Sequence, residues 1–88
     1  MTDIDGGEKA RKLVEFIVTE IVDSPEAVKV TREDDDLGIK INVSVSPEDM
    51  GKVIGKQRSM YESIRTLIHV IGAKSKQRIS LFILEPNA

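Results

Sequence analysis

Residues 39–45, IKINVSV, alternate strictly: Ile39, Ile41, Val43 and Val45 fall on one side, Lys40, Asn42 and Ser44 on the other. A period of two marks a strand with one buried face. VKVTR (28–32) alternates more weakly upstream, and EDDDLG (33–38) between them reads as a charged turn closing on Gly38. The pair predicts an antiparallel hairpin. Before the hairpin the period changes. In EKARKLVEFIVTEIV (8–22), Leu13, Phe16, Ile17 and Ile21 recur at helical spacing with Val14, Val18 and Val22 alongside. That stripe is wide enough to lie on a sheet. Asp23-Ser24-Pro25 ends the helix, because proline cannot continue the ladder and restricts the residue before it.

After the hairpin, SPED (46–49) predicts a helix start, with Ser46 as N-cap, Pro47 at the first position and acids in the first turn. The helix through MGKVI is short, and Gly55 can stop it. A second start follows at Ser59, with Glu62 three residues on, and Met60, Ile64, Leu67, Ile68 and Ile71 then keep helical spacing. GAKSK (72–76) breaks that helix, and RISLFIL (78–84) is a strand with apolar residues on both faces, closed by Pro86. The order is α-β-β-α-α-β. A two-helix crossover between strands 39–45 and 78–84 makes them parallel neighbours, reached by a right-handed connection. The expectation is therefore one α+β domain over residues 8–85, a three-stranded mixed sheet with helices on one face. Residues 1–7 are expected to be a flexible tail and 86–88 a short C-terminal end, with Phe82 and Leu84 on the sheet's other face.

Composition sharpens this. At 88 residues, 40% hydrophobic and 32% charged, the chain is an ordinary globular domain and not a disordered one. No cysteine is present, which excludes disulfides and thiolate metal sites, and a single histidine, His69, argues against an imidazole site. The start, MTDIDGGEKARK, lacks an apolar signal core, and no apolar run approaches the roughly 18 residues that span a bilayer. A soluble cytoplasmic protein without a cofactor is expected. Nor is an enzyme: Ser44, Ser59 and Ser80 have no adjacent base, and His69 has neither orienter nor nucleophile. Asp34, Asp35 and Asp36 lack the spacing and distal carboxylate of a calcium loop and read as a solvated turn.

Charge is divided unevenly. Residues 1–49 carry six Lys/Arg against thirteen Asp/Glu, whereas residues 50–88 carry seven against two. A net charge of -2 thus hides a basic half, and local charge governs what a surface attracts. Much of it flanks KVIGKQRS (52–59) and GAKSKQR (72–78). A tight turn between two helices aims amides and the positive end of the second helix at one spot. Gly55 allows close backbone approach, and Lys52, Lys56 and Arg58 supply charge for phosphate. Taken alone, a glycine between helices is more often a plain C-cap, and lysines on turns are more often merely solvated.

The flanking residues change that balance. "EDMGKVIGKQ" followed by "IRTLI" resembles the bacterial single-KH-domain RNA-binding proteins of the KhpA type, over roughly residues 8–85. The likeness is strongest at Asp49–Gln57 and at Ile64-Arg65. The α-β-β-α-α-β order is similar to the type II KH arrangement. The resemblance implies a GxxG-type loop at Gly55, Lys56, Gln57 and Arg58 that grips the sugar-phosphate backbone of about four nucleotides of single-stranded RNA. It implies an apolar groove floor at Val53 and Ile54, and an opposite lip where Lys74, Lys76 and Arg78 reach phosphates. Lys52, Ser59 and Arg65 complete the expected RNA-binding set. An RNA chaperone or post-transcriptional regulator is implied, with a second KH-containing protein or a homodimer as partner.

One position departs from the family pattern: its second loop glycine is Arg58 here. Arginine brings a bidentate phosphate donor, and also a side chain that would be strained at positive φ. Glu62 nearby would repel an approaching anion. The alternative reading is accordingly a protein-interaction or dimerisation module with weakened RNA binding, pairing through the turn or through Phe82 and Leu84. Tyr61, Arg65 and His69 share one helical face, either a small stacking ledge or simply the solvent side of an amphipathic helix.

Overall fold

The computed structural model describes residues 5–84, and along them the elements come in the predicted order. Helix α1 spans Gly6–Ile21, strands β1 and β2 span Lys29–Asp35 and Gly38–Ser44, helices α2 and α3 span Met50–Ile54 and Ser59–Ser75, and strand β3 spans Ile79–Ile83. Single 3-10 turns occupy Pro25–Ala27, Pro47–Asp49 and Lys56–Arg58.

The sheet order is β1-β2-β3. β1 and β2 are antiparallel, with Lys29 opposite Ser44 and Asp35 opposite Gly38. β2 and β3 are parallel, with Ile39 opposite Ile79 and Val43 opposite Ile83. This is the mixed α+β sheet expected. The alternation in β2 is realised residue by residue: Ile39, Ile41 and Val43 are buried, and Lys40, Asn42 and Ser44 are half-buried on the opposite face. From β3, Ile79 and Leu81 join the core while Phe82 stays 45% exposed.

Several local expectations are corrected. Glu33, Asp34 and Asp35 extend β1 along its ladder, so the turn shrinks to Asp36-Leu37. The Asp35 carboxylate anchors it by accepting from the Leu37 and Gly38 amides at 2.8 and 3.2 Å. These acids therefore line an outer strand of the sheet. In α1 the buried stripe is Ala10, Val14 and Val18, and Phe16, expected on the core face, is 65% exposed. The helix also begins earlier than its apolar stripe suggests. Asp5 is the N-cap, its carboxylate accepting from the Gly7 amide at 2.8 Å, and Gly6 and Gly7 are buried. The cause is tertiary: the Gly6 amide donates to Gln77 Oε1 at 3.0 Å, and Arg32 bridges Asp5 and Asp34 at 2.8 and 2.7 Å. Residues 5–7 thus belong to the domain. Residues 1–4 of the expected tail, and residues 85–88, lie outside the described residues.

α3 runs through Gly72, where the sequence predicts a break, and stops at Lys76, which is left-handed (φ 58°, ψ 40°). Gly72 is needed for packing. The Gln77 amide turns back onto the Gly72 carbonyl at 2.9 Å, and a Cβ at Gly72 would lie 2.6 Å from the Gln77 carbonyl oxygen. Gly72→Ala is therefore expected to melt roughly 5 °C below the parent in a circular-dichroism scan, because overpacking outweighs alanine's better helix propensity. An unchanged or higher melting temperature would mean that the helix end yields freely.

A buried carboxylate joins the two halves of the helical layer. Asp49 is 1% exposed and accepts from the Asp23 and Ser24 amides at 3.1 and 3.0 Å, while Lys52 Nζ lies 3.7 Å away. Those amides follow the end of α1, so Asp49 fixes the start of α2 against it. The Asp23 amide above all, then the Ser24 amide and Lys52, hold its carboxyl below the ordinary carboxylate range, although burial pushes the other way. Among the described residues, no helix is long and apolar enough to cross a membrane, and no group of three or more His, Asp or Glu is placed to hold a metal ion.

Candidate functional site

The turn after α2 carries the unusual backbone. Gly55 has φ 81° and ψ 168°, and its amide closes α2 onto the Gly51 carbonyl at 2.8 Å. A Cβ at Gly55 would sit 2.6 Å from the Met60 nitrogen, so only glycine lets the first turn of α3 come this close. Two consecutive non-glycine residues then adopt the left-handed region, Gln57 (φ 54°, ψ 32°) and Arg58 (φ 64°, ψ 20°). Each such residue costs on the order of 1 kcal/mol. Arg58 thus keeps a backbone conformation that glycine would adopt without strain.

The hydrogen bonding of the turn determines which groups face outward. The Arg58 and Ser59 amides donate inward to the Gly55 and Lys56 carbonyls. The amides of Lys56 and Gln57 have no acceptor among the described residues. Ser59 is not the N-cap expected: its own φ/ψ is helical, Arg58 occupies the cap position, and no side chain caps α3. Glu62 pairs with Arg65 at 3.3 Å in place of closing a capping box. The Ser59 amide is thus satisfied by Lys56, but the N-cap residue Arg58 adds no side-chain bond to the start of α3.

The cations differ in how free they are. Lys56 and Arg58 are exposed and make no ion pair among the described residues. Lys52 is bound to Asp23 at 3.2 Å as well as lying near Asp49, and Asp23 chiefly raises its pKa. Lys74, Lys76 and Arg78 also make no ion pair among the described residues but stand at the far end of α3, whose 17 residues span about 25 Å. The structure does not bring them together with the Gly55 turn. A ligand touching both must run the length of that helix.

Beside the turn lies an open groove of about 310 Å³, lined by Met50, Ile54, Arg58, Tyr61, Leu81, Phe82 and Ile83. Ile54 is on its wall as expected. Val53 is not: it points to the other side of the short helix and is 1% exposed in the core, since successive helical residues lie 100° apart. Tyr61, grouped in sequence with Arg65 and His69, is drawn away from them. It is half-buried, its hydroxyl donates to the Leu81 carbonyl at 3.1 Å, and its ring lies 4.9 Å beneath the Arg58 guanidinium. Arg65 and His69 remain exposed. The groove residues missing from the expected set are Met50, Tyr61, Leu81, Phe82 and Ile83. Phe82 carried a signal, as an aromatic residue on the outward face of a strand, whereas nothing in the sequence singles out Met50.

Known proteins resemble this chain in sequence and in fold. The family described as KhpA/KhpB, KH domain, matches residues 11–83. The protein named RNA-binding protein KhpA in Listeria monocytogenes is 45% identical over 74 residues, covering 84% of this chain and 97% of that protein. Its namesakes in Halalkalibacterium halodurans and Bacillus subtilis are 40% and 38% identical, over 85% and 83% of this chain and 99% and 90% of theirs. In fold, the crystal structure of an Aquifex aeolicus Era variant bound to GDP and aluminium fluoride matches with a TM-score of 0.59 at 17% identity, over 96% of this chain and 32% of that one. With a family match across nearly the whole described domain and relatives aligned almost end to end, the chain belongs to the KhpA/KhpB KH-domain family.

Proposed function

We propose that this chain binds single-stranded RNA, with the sugar-phosphate backbone gripped along Gly55–Arg58 and bases laid in the groove between α2, the start of α3 and β3. The observation that carries the reading is the turn itself. Left-handed Gln57 and Arg58 shape the path that leaves the Lys56 and Gln57 amides without an acceptor among the described residues, beside two cations, Lys56 and Arg58, that pair with no carboxylate among them. These are the donors a phosphodiester needs. The relatives are named RNA-binding proteins, which favours the same ligand class. Lys56, Gln57, Arg58 and Ser59 form the grip in this reading, and Ile54 supports the bases. Lys52 contributes less, because two acids share its charge, and Arg65 is half committed to Glu62. Lys74, Lys76 and Arg78 extend the track for longer RNA. The wider role is cytoplasmic RNA chaperoning or post-transcriptional regulation, with a second KH-containing protein or a second copy as partner and no catalysis.

Salt dependence tests this. Each phosphate neutralised on a single strand contributes about −0.7 to the slope of log affinity against log salt. A tetranucleotide whose phosphate is neutralised by Lys56 should therefore show a slope of about −0.7. A longer oligonucleotide that also reaches Lys74, Lys76 and Arg78 should approach about −2.8. Fluorescence anisotropy at several salt concentrations reads both. Binding to either RNA that is indifferent to salt would remove the phosphate grip from the account.

A further inference from the structure

Apart from Tyr61, whose hydroxyl is already bonded to Leu81, the groove has one polar side chain on its wall: Arg58. It stands where the family pattern has glycine, and no carboxylate pairs with it among the described residues. The Arg58 guanidinium carbon lies over the ring of Tyr61, 4.9 Å from its centroid. A stacked guanidinium keeps its in-plane N–H donors free and loses rotational freedom, so it seeks acceptors lying side by side in one plane. Phosphate is met on the loop side, by Lys56 and the free amides. Inside an otherwise apolar groove, Arg58 meets the edge of a base.

Among the four bases guanine fits this donor set best. Its N7 and O6 are neighbouring acceptors that take two parallel N–H bonds from arginine. Adenine offers N7 beside an amino group, which would oppose donor with donor, and uracil sets O2 and O4 on either side of its N3–H donor. Cytosine pairs O2 with N3 on its open Watson–Crick edge, but its single ring covers less of the apolar groove than a purine does. We propose that Arg58 makes the groove selective for guanine: held by Tyr61, its guanidinium donates to N7 and O6 of one guanine of a single-stranded RNA. This rests on the RNA-binding reading above and adds to it a base preference created by the one departure from the glycine pattern.

Anisotropy titrations with fluorescein-labelled 5′-UUUGUUU-3′ and its central-adenine, central-uracil and 7-deazaguanine counterparts test it. The parent chain should prefer guanine roughly tenfold over adenine and uracil, and removal of N7 should abolish most of that preference. Arg58→Lys keeps the charge and loses the planar fork, so it should bring the guanine-to-adenine affinity ratio close to one. Arg58 is exposed, and a melting curve confirms that the variant is folded. Equal affinity of the parent for all four heptamers overturns the inference and leaves the RNA-binding reading standing. So does a guanine preference that survives Arg58→Lys or the 7-deaza substitution. Failure to bind any heptamer at low salt overturns both.

Discussion

Replacing Lys56 and Arg58 together by glutamate is expected to weaken binding of a short single-stranded RNA by on the order of 100-fold, since two charge-assisted contacts are lost and two repulsions gained. The fold should survive. Both side chains are exposed and unpaired among the described residues, and the main local loss is the stacking of Arg58 on Tyr61. The melting temperature should accordingly stay within about 4 °C of the parent. Anisotropy and a thermal melt on the same sample separate the two effects. A folded double variant with parental affinity would show that the RNA grip lies elsewhere, and would favour the reading of this chain as a protein-interaction module.

Asp49→Ala is expected to lower the melting temperature by roughly 10 °C or more, the largest effect on stability of any single polar side chain described here. Its carboxylate is buried and takes two amides that follow α1; alanine would leave both without a partner and free α2 from α1. The pH dependence has a defined sign. Because the folded carboxyl titrates below its unfolded value of about 3.9, its stabilisation is fully present above that pH. It disappears as pH falls through the lower, folded value. The gap between parent and Asp49→Asn should therefore be constant from pH 7 to about 5 and narrow below about 4. A gap that widens in acid would contradict the depressed pKa. As α2 leads into the Gly55 turn, this variant should also weaken RNA binding while leaving every proposed contact residue in place.

Periodicity and punctuation between them expose the order of elements. Strict alternation identifies β2; Pro25 and Pro47 mark boundaries because proline's φ is fixed, and Gly55 because glycine reaches the positive φ that ends α2. What escapes is set by groups distant in sequence. Glu33–Asp35 look like a turn because acids disfavour strands, yet pairing with Gly38–Lys40 recruits them. Gly6 and Gly7 look like a tail, until Gln77 and Arg32 meet that end of α1 from the other side of the domain. Ser59 looks like a cap, but the left-handed residue before it shifts the helix start by one. The same distinction holds at the candidate site. Its loop is legible because Gly55 and the neighbouring cations are contiguous. The groove is not, because Met50, Tyr61 and Phe82 meet only once β3 has returned beside the start of α3.

The acids on β1 bear on how the molecule behaves in company. β1 forms one margin of the sheet, and an unpaired margin is a template on which another chain can add a strand. Glu33, Asp34 and Asp35 place consecutive negative charges there, with Arg32 balancing Asp34 and Lys40 reaching Asp35. Two copies brought margin to margin would set like charges against each other before any ladder could form. Glu33, the acid of the three that makes no ion pair among the described residues, is the charge that most opposes strand addition along this margin.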